Sequence, residues 1–217
     1  MKVISNTAIS LDGRINTRER RFVQLGSAAD HLRMSLLRSQ ADAVLVGGST
    51  FRNWPHPSLP EAEHRKPRAA PLWNVVVSRT LQVPLLPEFL AEPGIRPLLL
   101  TCAGAVPPGC PVEVEAYAGP DSSLPVSFIL AALRRRGVQT LLVEAGGDLL
   151  FQFLAADALD ELYVTLCPLV IGGDTPSLAD GAGFTAAELR RLQLRSTEII
   201  GSEIFLHYAV SRSASSV

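Results

Sequence analysis

The segment LLVEAGGDLLFQFL, from Leu141 to Leu154, decides the fold of this chain. An apolar run over 140–144 predicts a buried strand, and the apolar residues over 148–156 predict a helix. Two glycines separate them and mark a tight turn. Strand, glycine turn and helix in this order form the repeating unit of α/β proteins. The segment also places Glu144 at the tip of a buried strand, where a carboxylate needs a partner.

The same pattern recurs at DAVLVGGSTF, over 42–51, where an apolar strand meets a glycine pair and a polar residue able to cap a helix. Elsewhere, apolar runs predict strands over 2–9, 73–78, 97–101 and 112–116, and one or two strands over 161–173. Helices are predicted over 30–40, with Leu32, Leu36 and Leu37 on one side, and over 125–136. The tail over 192–212 alternates around a Gly-Ser pair and predicts an antiparallel hairpin. We therefore expect one compact α/β domain over 1–217, with a mixed, mostly parallel sheet.

Composition limits the classes of function. The 217 residues are 47% hydrophobic with a formal net charge of −1, and no basic run suggests a nucleic-acid or membrane surface. A small-molecule partner is expected instead. The N-terminus has neither the long apolar stretch of a spanning helix nor the design of a signal peptide, so a cytoplasmic location is predicted. Cys102, Cys110 and Cys167 form no C-x-x-C pair, which argues for reduced thiols and against a zinc site.

Three predicted strands end in groups that suit an anionic ligand. Gly47 with Gly48, and Gly146 with Gly147, can expose backbone N–H groups at a helix start. Each pair is also compatible with a plain turn and helix cap. Ser78 and Arg79 end a third strand, and an arginine fork suits a phosphate monoester, although a solvated turn arginine is the alternative. Together the three ends predict a dinucleotide with a 2′-phosphate, which is NADPH, without a G-x-G-x-x-G motif.

The segments AISLDGRI, LLRSQADAVLVGGST and LLVEAGGDLLFQFLAADALDELYVTLCPLVIGG together resemble the riboflavin-pathway pyrimidine reductase family. That resemblance covers nearly the whole chain. It implies a three-layer fold like that of dihydrofolate reductase, a homodimer, and NADPH-dependent hydride transfer to the ribosyl carbon C1′ of an aminouracil ribose phosphate. It also implies that Ala8, Thr50, Ser78 and the run Gly146, Gly147, Asp148, Leu149 and Leu150 meet the cofactor, and that Arg38 and Glu144 meet the substrate. The strand ends add Gly47, Gly48 and Arg79 as cofactor candidates, and Leu59 and Asp12 are further substrate candidates.

The chemistry of the substrate residues agrees with these roles and leaves alternatives open. Arg38 lies late on a predicted helix and could bind a phosphate with two hydrogen bonds, or be a surface arginine. Glu144 could accept hydrogen bonds from the pyrimidine or the ribose, or from backbone N–H groups. Asp12 belongs to an Asp-Gly turn, so its carboxylate could simply bind its own backbone. Asp148 places a second acid at a helix start, which weakens that cradle for an anion.

The loop after VGGST departs from the family pattern. The family has R-x-D-D-P-x-L-x-x-R there, whose first aspartate is the proposed acid, whereas this chain reads FRNWPHPSLPEAEHR. Trp54 stands at the aspartate position, and the Pro-Leu pair survives only as Pro57-Ser58-Leu59. His56 is a candidate proton donor, or a solvated loop histidine. The irregular segment over 52–71 is a candidate lid. The altered loop leaves open a related substrate such as a dihydrofolate-like heterocycle, and a non-catalytic NADPH-binding dimer.

Overall fold

The computed structural model describes residues 1–67, 69–102, 109–119 and 123–211. Contacts between Cα atoms divide the chain into two compact units. The first contains Met1 and Arg33–Glu144, and the second contains Lys2–Leu32 and Ala145–Val217. In chain order, the strands and helices are β1 (Lys2–Ser10), α1 (Ala28–Gln40), β2 (Ala43–Gly47), α2 (Gly48–Asn53), β3 (Leu72–Ser78), α3 (Pro87–Ala91), β4 (Ile95–Thr101), β5 (Glu113–Ala116), α4 (Val126–Arg135), β6 (Thr140–Val143), α5 (Gly147–Ala155), β7 (Glu161–Cys167), β8 (Leu192–Ile200) and β9 (Glu203–Val210).

The first unit contains five parallel strands in the order β5-β4-β3-β2-β6. Their central strands are apolar along most of their length and buried on both faces, as parallel strands covered by helices usually are. Phe51 of α2 packs edge-on against Phe89 of α3, with ring centroids 4.8 Å apart. Val76, Ile95 and Leu99 complete this buried cluster, which holds the short helix α2 against the sheet.

The second unit contains four strands in the order β1-β7-β9-β8. β1 and β7 are parallel, whereas β7–β9 and β8–β9 are antiparallel. Ile200 pairs with Glu203, so Gly201 and Ser202 form a two-residue turn, and Gly201 has φ +61. A positive φ at the first central position favours glycine in a type II′ hairpin turn. The predicted C-terminal hairpin and the mixed, mostly parallel strand arrangement are confirmed.

Most predicted elements are present within two residues of their expected ends. The segment over 161–173, predicted to hold one or two strands, contains one, β7, and the chain leaves it at Pro168. Two details were wrong or missed. On α1, Leu37 is buried but Leu32 and Leu36 are 46% and 42% exposed, so the predicted apolar stripe is narrower than the three leucines suggested. The short helix α3 was not predicted, because five residues are too few for a periodic pattern.

All three cysteines are free thiols, and Cys167 is buried. Among the described helices, none is long and apolar enough to cross a bilayer. Within the same residues, no three histidine, cysteine or acidic side chains are grouped closely enough to hold a metal ion.

Candidate functional site

The carboxyl ends of β2 and β3 form a candidate ligand-binding edge of the first unit. The two strands are parallel neighbours, with Gly47 opposite Val77. Gly48 lies directly against Ser78, because a methyl group built on Gly48 would be 2.7 Å from Ser78 Oγ and 2.9 Å from Ser78 Cβ. The structure therefore brings Gly47, Gly48 and Ser78 together, as the sequence predicted. Ser78 is only 6% exposed, so its hydroxyl mainly faces its own fold.

Gly47 differs from Gly48 in the space available to a side chain. Its φ is −74 and ψ is 149, an extended conformation that any residue can adopt, and a methyl group at Gly47 would meet no atom within 4 Å. Neither the backbone nor the packing of the fold requires glycine at this position. A ligand that approaches the backbone closely would explain the absence of a side chain. Thr50 and Arg79 are both exposed near this strand edge, on α2 and directly after β3.

In the second unit, Gly146 and Gly147 at the start of α5 also differ from each other in the space around them. Gly146 has φ −68 and ψ 171 and open space where its Cβ would be. A Cβ on Gly147 would be 2.4 Å from the Ser177 carbonyl oxygen and 2.7 Å from Asp180 Oδ2, so packing alone explains that glycine. Asp148 is exposed in the first turn of the helix.

The helix starts are not capped in the way that the sequence suggested. Ser49 and Asp148 were the polar residues expected to cap α2 and α5, but the N-caps are Gly47 and Gly146, and neither helix has a side-chain cap hydrogen bond among the described residues. Both helices therefore begin without a side-chain acceptor from the described residues for their first N–H groups, and an anion is one partner that suits such groups.

Two of the predicted cofactor residues on α5 are buried and have no N–H group available to a ligand. Leu149 and Leu150 are 8% and 0% exposed, and the N–H groups of both donate to the Gly146 carbonyl oxygen. Within the predicted run, Gly146 and Asp148 are the residues that are not buried. Ala8 lies half-buried on β1 of the same unit, opposite Thr165 of β7.

Arg38 and Glu144, the two predicted substrate residues of the first unit, form an ion pair. Arg38 Nε donates to Glu144 Oε1 at 2.9 Å, and Nη2 donates to Oε2 at 2.6 Å. Their side chains are 16% and 12% exposed. Burial alone lowers the pKa of Arg38, but the attraction of Glu144 and its hydrogen bonds outweigh burial, so that the pKa is raised and the guanidinium stays charged. This pairing explains how a carboxylate is tolerated at the tip of a buried strand.

The loop after α2 is attached at three successive points. Asn74 Oδ1 accepts from the Ser58 N–H at 2.7 Å, and Asn74 Nδ2 donates to the Ser58 carbonyl at 3.2 Å. Arg38 Nη1 donates to the Leu59 carbonyl at 3.1 Å. The Glu61 N–H donates to Ser35 Oγ at 2.8 Å. These bonds hold residues 58–61 against α1 and β3, which favours a fixed wall over the lid that loop length suggested.

Upstream of these attachments, the loop presents two rings. Trp54 is 50% exposed and His56 is half-buried, and their ring centroids are 4.4 Å apart. His56 remains a predicted proton donor. Neither Asn74 nor Ser35 was predicted as part of the site. An asparagine inside the apolar strand LWNVVVS was the available signal for the first, since a buried amide needs partners. Nothing in the sequence indicated Ser35.

The carboxylate of Asp12 is hydrogen-bonded within the protein. Its carboxylate accepts hydrogen bonds from the Ser10 hydroxyl at 2.6 Å and from the N–H groups of Ile171 and Gly172 at 3.1 and 2.7 Å. These hydrogen bonds, the one from Ser10 first, lower the pKa of Asp12 to about 2. The backbone N–H groups that bind Asp12 belong to Ile171 and Gly172 and not to its own Asp-Gly turn, so the local alternative did not describe its main contacts, which connect two loops of the second unit.

Parallel strands followed by glycine turns and helix starts define an α/β protein whose strand ends are placed to hold a ligand. The comparisons with known proteins give the family. Residues 1–206 match the family model described as the RibD C-terminal domain, and the chain belongs to this family. The resemblance that the sequence suggested is confirmed.

Its relatives are reductases by name. The chain is 30% identical over 211 residues to the 2,5-diamino-6-ribosylamino-4(3H)-pyrimidinone 5′-phosphate reductase of Archaeoglobus fulgidus, covering 92% of this chain and 93% of that protein. The reductase of the same name from Methanothermobacter thermautotrophicus is 28% identical, and the match covers 96% of this chain and 97% of that protein.

Solved structures agree with the fold. A pyrimidine reductase-like protein from Corynebacterium diphtheriae superposes with a TM-score of 0.78 at 21% identity, covering 97% of this chain and 92% of that one. RibD of Acinetobacter baumannii superposes with a TM-score of 0.76 at 18% identity, and this chain spans 58% of its length. The predicted dihydrofolate reductase-like fold of the RibD reductase domains is confirmed.

Proposed function

We propose that this protein is an NADPH-dependent reductase of riboflavin biosynthesis, working as one domain in the cytoplasm. The substrate would be a pyrimidine ribose 5′-phosphate, either the 2,5-diaminopyrimidinone named for its relatives or the corresponding 5-amino-6-(5-phosphoribosylamino)uracil. The observation that supports it most is the similarity to the Archaeoglobus fulgidus reductase over almost the full length of both chains. The uncrowded glycines at the strand ends support it independently.

The residues present fit a nicotinamide dinucleotide. Gly47 and Gly146 leave the space that a side chain would fill, and Arg79 offers an exposed guanidinium to a 2′-phosphate. Ala8, Gly48, Thr50, Ser78, Gly147 and Asp148 are the further contacts proposed. When bound, NADPH would supply a hydride. No group of the chain needs to act as a nucleophile for this reaction.

The reaction requires placement and one proton. Hydride adds to C1′ of the ribosyl group, the bond between C1′ and the ring oxygen O4′ breaks, and O4′ takes a proton, which gives a ribityl chain. Glu144, with each oxygen keeping a second lone pair beyond its bond to Arg38, would accept hydrogen bonds from the pyrimidine or ribose. His56 is the proposed source of the proton, either directly or through water.

The direct test is NADPH oxidation, followed at 340 nm, with three substrates offered separately: the diaminopyrimidinone ribose phosphate, the aminouracil ribose phosphate and dihydrofolate. We expect turnover with one of the two pyrimidines and none with dihydrofolate. Turnover of dihydrofolate alone would support the altered-substrate alternative that the loop suggested. Saturable NADPH binding without turnover of any of the three would support the non-catalytic alternative instead.

We also propose that the protein is a homodimer through its C-terminal hairpin. β8 is the last strand in the order of its unit and is exposed along all nine residues. Four large apolar side chains are uncovered on it: Leu192, Leu194, Ile199 and Ile200. A long, apolar edge strand invites pairing or aggregation unless a partner covers it. Light scattering on the purified protein should give a mass near twice 23.3 kDa, and Ile199→Lys should shift it toward the monomer.

A further inference from the structure

We propose that Arg38 is a positioning residue rather than a phosphate clamp: it fixes the plane of the Glu144 carboxylate and connects that carboxylate to the Leu59 carbonyl of the substrate loop. The inference rests on the proposed function for its substrate and on the geometry of the first unit for its argument. Three atoms of one guanidinium, Nε, Nη2 and Nη1, already have protein acceptors at 2.9, 2.6 and 3.1 Å.

The first step concerns geometry. Two parallel N–H donors to the two oxygens of one carboxylate set both its distance and its plane, which a single hydrogen bond or a lysine cannot do. Glu144 follows the last residue of β6, and its own N–H donates to the Leu45 carbonyl at 2.9 Å. Its backbone is therefore fixed by the sheet and its side chain by Arg38. The outward lone pairs of Glu144 consequently have a defined direction.

The second step concerns charge. The charge of Arg38 is balanced by Glu144, and Glu61 adds a further Coulombic attraction that raises the pKa of the guanidinium. A phosphate dianion placed on Arg38 would approach these two carboxylates as well. Like charges close together in a partly buried site repel strongly. The electrostatics around Arg38 hence disfavour the phosphate and favour neutral hydrogen-bond donors beside Glu144.

The third step concerns the loop. Asn74 fixes Ser58 and Ser35 fixes the N–H of Glu61, so Leu59 lies between two independent attachments. Arg38 binds the carbonyl of Leu59 between them and also binds Glu144. One side chain thereby sets the distance between a strand-end carboxylate and the wall formed by the loop. Enzymes lose rate steeply when such distances relax by about 1 Å.

The decisive experiment compares the pyrimidine ribose 5′-phosphate with its dephosphorylated nucleoside in Arg38→Met and Arg38→Lys. We expect Arg38→Met to lower kcat/KM by the same factor, about a hundredfold, for both substrates, with Arg38→Lys in between. The preference for the phosphorylated substrate should not change. A loss confined to the phosphorylated substrate, seen as a collapsed preference, would overturn the proposal and restore the phosphate clamp.

Arg136→Met is the matched control. Arg136 is 14% exposed and pairs with Glu113 and Glu115 in the same unit, so its loss also removes a buried guanidinium from an ion-pair network, although Glu115 keeps its bond to Arg135. It should lower the stability of the protein without changing the substrate preference or kcat. Adding Arg38→Met to Glu144→Gln should cost less than fivefold further in kcat/KM. Full additivity of the two changes would show that Arg38 does not act through Glu144.

A second measurement separates this inference from the proposed function. Hydrogen exchange of the backbone N–H groups of Ser58, Leu59 and Glu61 needs no substrate, and Arg38→Met should accelerate it about tenfold or more, whereas Arg136→Met should not. Unchanged exchange would contradict the connection between Arg38 and the loop even in an active enzyme. If wild-type protein reduces neither pyrimidine, the proposed function fails, but exchange still decides whether Arg38 fixes the loop.

Discussion

Substitution by alanine should have different effects at Gly146 and at Gly147, the two glycines at the start of α5. Gly146→Ala and Gly147→Ala each add one methyl group at adjacent positions. At Gly146 the methyl would enter open space, and at Gly147 it would lie 2.4 Å from the Ser177 carbonyl oxygen. If NADPH passes over Gly146, the first change should damage binding and leave the fold intact, while the second should damage the fold.

The magnitudes follow from the geometry. For Gly147→Ala, crowding a packed site costs about 1–3 kcal/mol, and the contact is with backbone, which cannot rotate away. Better helix propensity returns at most about 1 kcal/mol, which leaves a loss of about 1–2 kcal/mol. In a chain of this size that corresponds to about 2–8 °C in Tm. For Gly146→Ala, the lower entropy of the unfolded chain offsets the poorer N-cap, so the stability should change by about 0.5 kcal/mol or less.

Two measurements on each variant test this reasoning. Urea unfolding gives the stability, and fluorescence titration gives the Kd for NADPH. We expect Gly146→Ala to unfold like wild type and to bind NADPH at least about tenfold more weakly, since a displaced anion loses a charge-assisted hydrogen bond of about 1.5–3 kcal/mol. Unchanged affinity would show that the cofactor does not approach Gly146. Wild-type stability of Gly147→Ala would refute the packing argument.

Three further outcomes are expected. Arg79→Ala should reduce the preference for NADPH over NADH about tenfold, measured as the ratio of kcat/KM values, and an unchanged ratio would place the 2′-phosphate elsewhere. The pKa of Asp12 falls from 3.8 to about 2 in the folded protein, so the ionised carboxylate stabilises the fold above pH 4, and this contribution disappears as the pH drops toward 2. The stability of Asp12→Asn, measured by urea unfolding across pH 2–5, should therefore depend less steeply on pH than that of wild type. Burial, followed by the charges of Glu203 and Asp30, raises the pKa of Cys167 to about 12, so a thiol reagent at pH 8 should modify it more slowly than Cys110, and equal rates would contradict its burial.

Much of the fold could be predicted because local patterns determined it. Strand and helix bounds followed from apolar periodicity, and the hairpin followed from a glycine that the two-residue turn requires at Gly201. Elements of five residues such as α3 were missed because so short a pattern is not distinctive. The exposure of Leu32 and Leu36 was missed because periodicity shows that a stripe exists but not how wide it is.

The sequence identified several residues of the candidate site but did not indicate which of them bind one another. Arg38 and Glu144 were both identified, yet they are 106 positions apart, and no spacing rule indicates that one binds the other. The role of Asn74 depends on its bonds to Ser58 across 16 positions, for which sequence gives only the hint of an amide in an apolar strand. Pairings over such separations arise from topology, which sequence patterns determine only coarsely.

The glycines show most clearly where sequence reasoning ends. In the sequence, VGG and AGG offer four equivalent residues, and any of them could serve a turn, a cap or a ligand. The structure divides them by one physical criterion, the space available to a Cβ atom: Gly48 and Gly147 are required by packing, and Gly47 and Gly146 are not. Since both uncrowded glycines are helix N-caps with ordinary φ, the fold itself would accept a side chain at either. Substitution at these two positions therefore tests the proposed cofactor site with little expected cost to the fold.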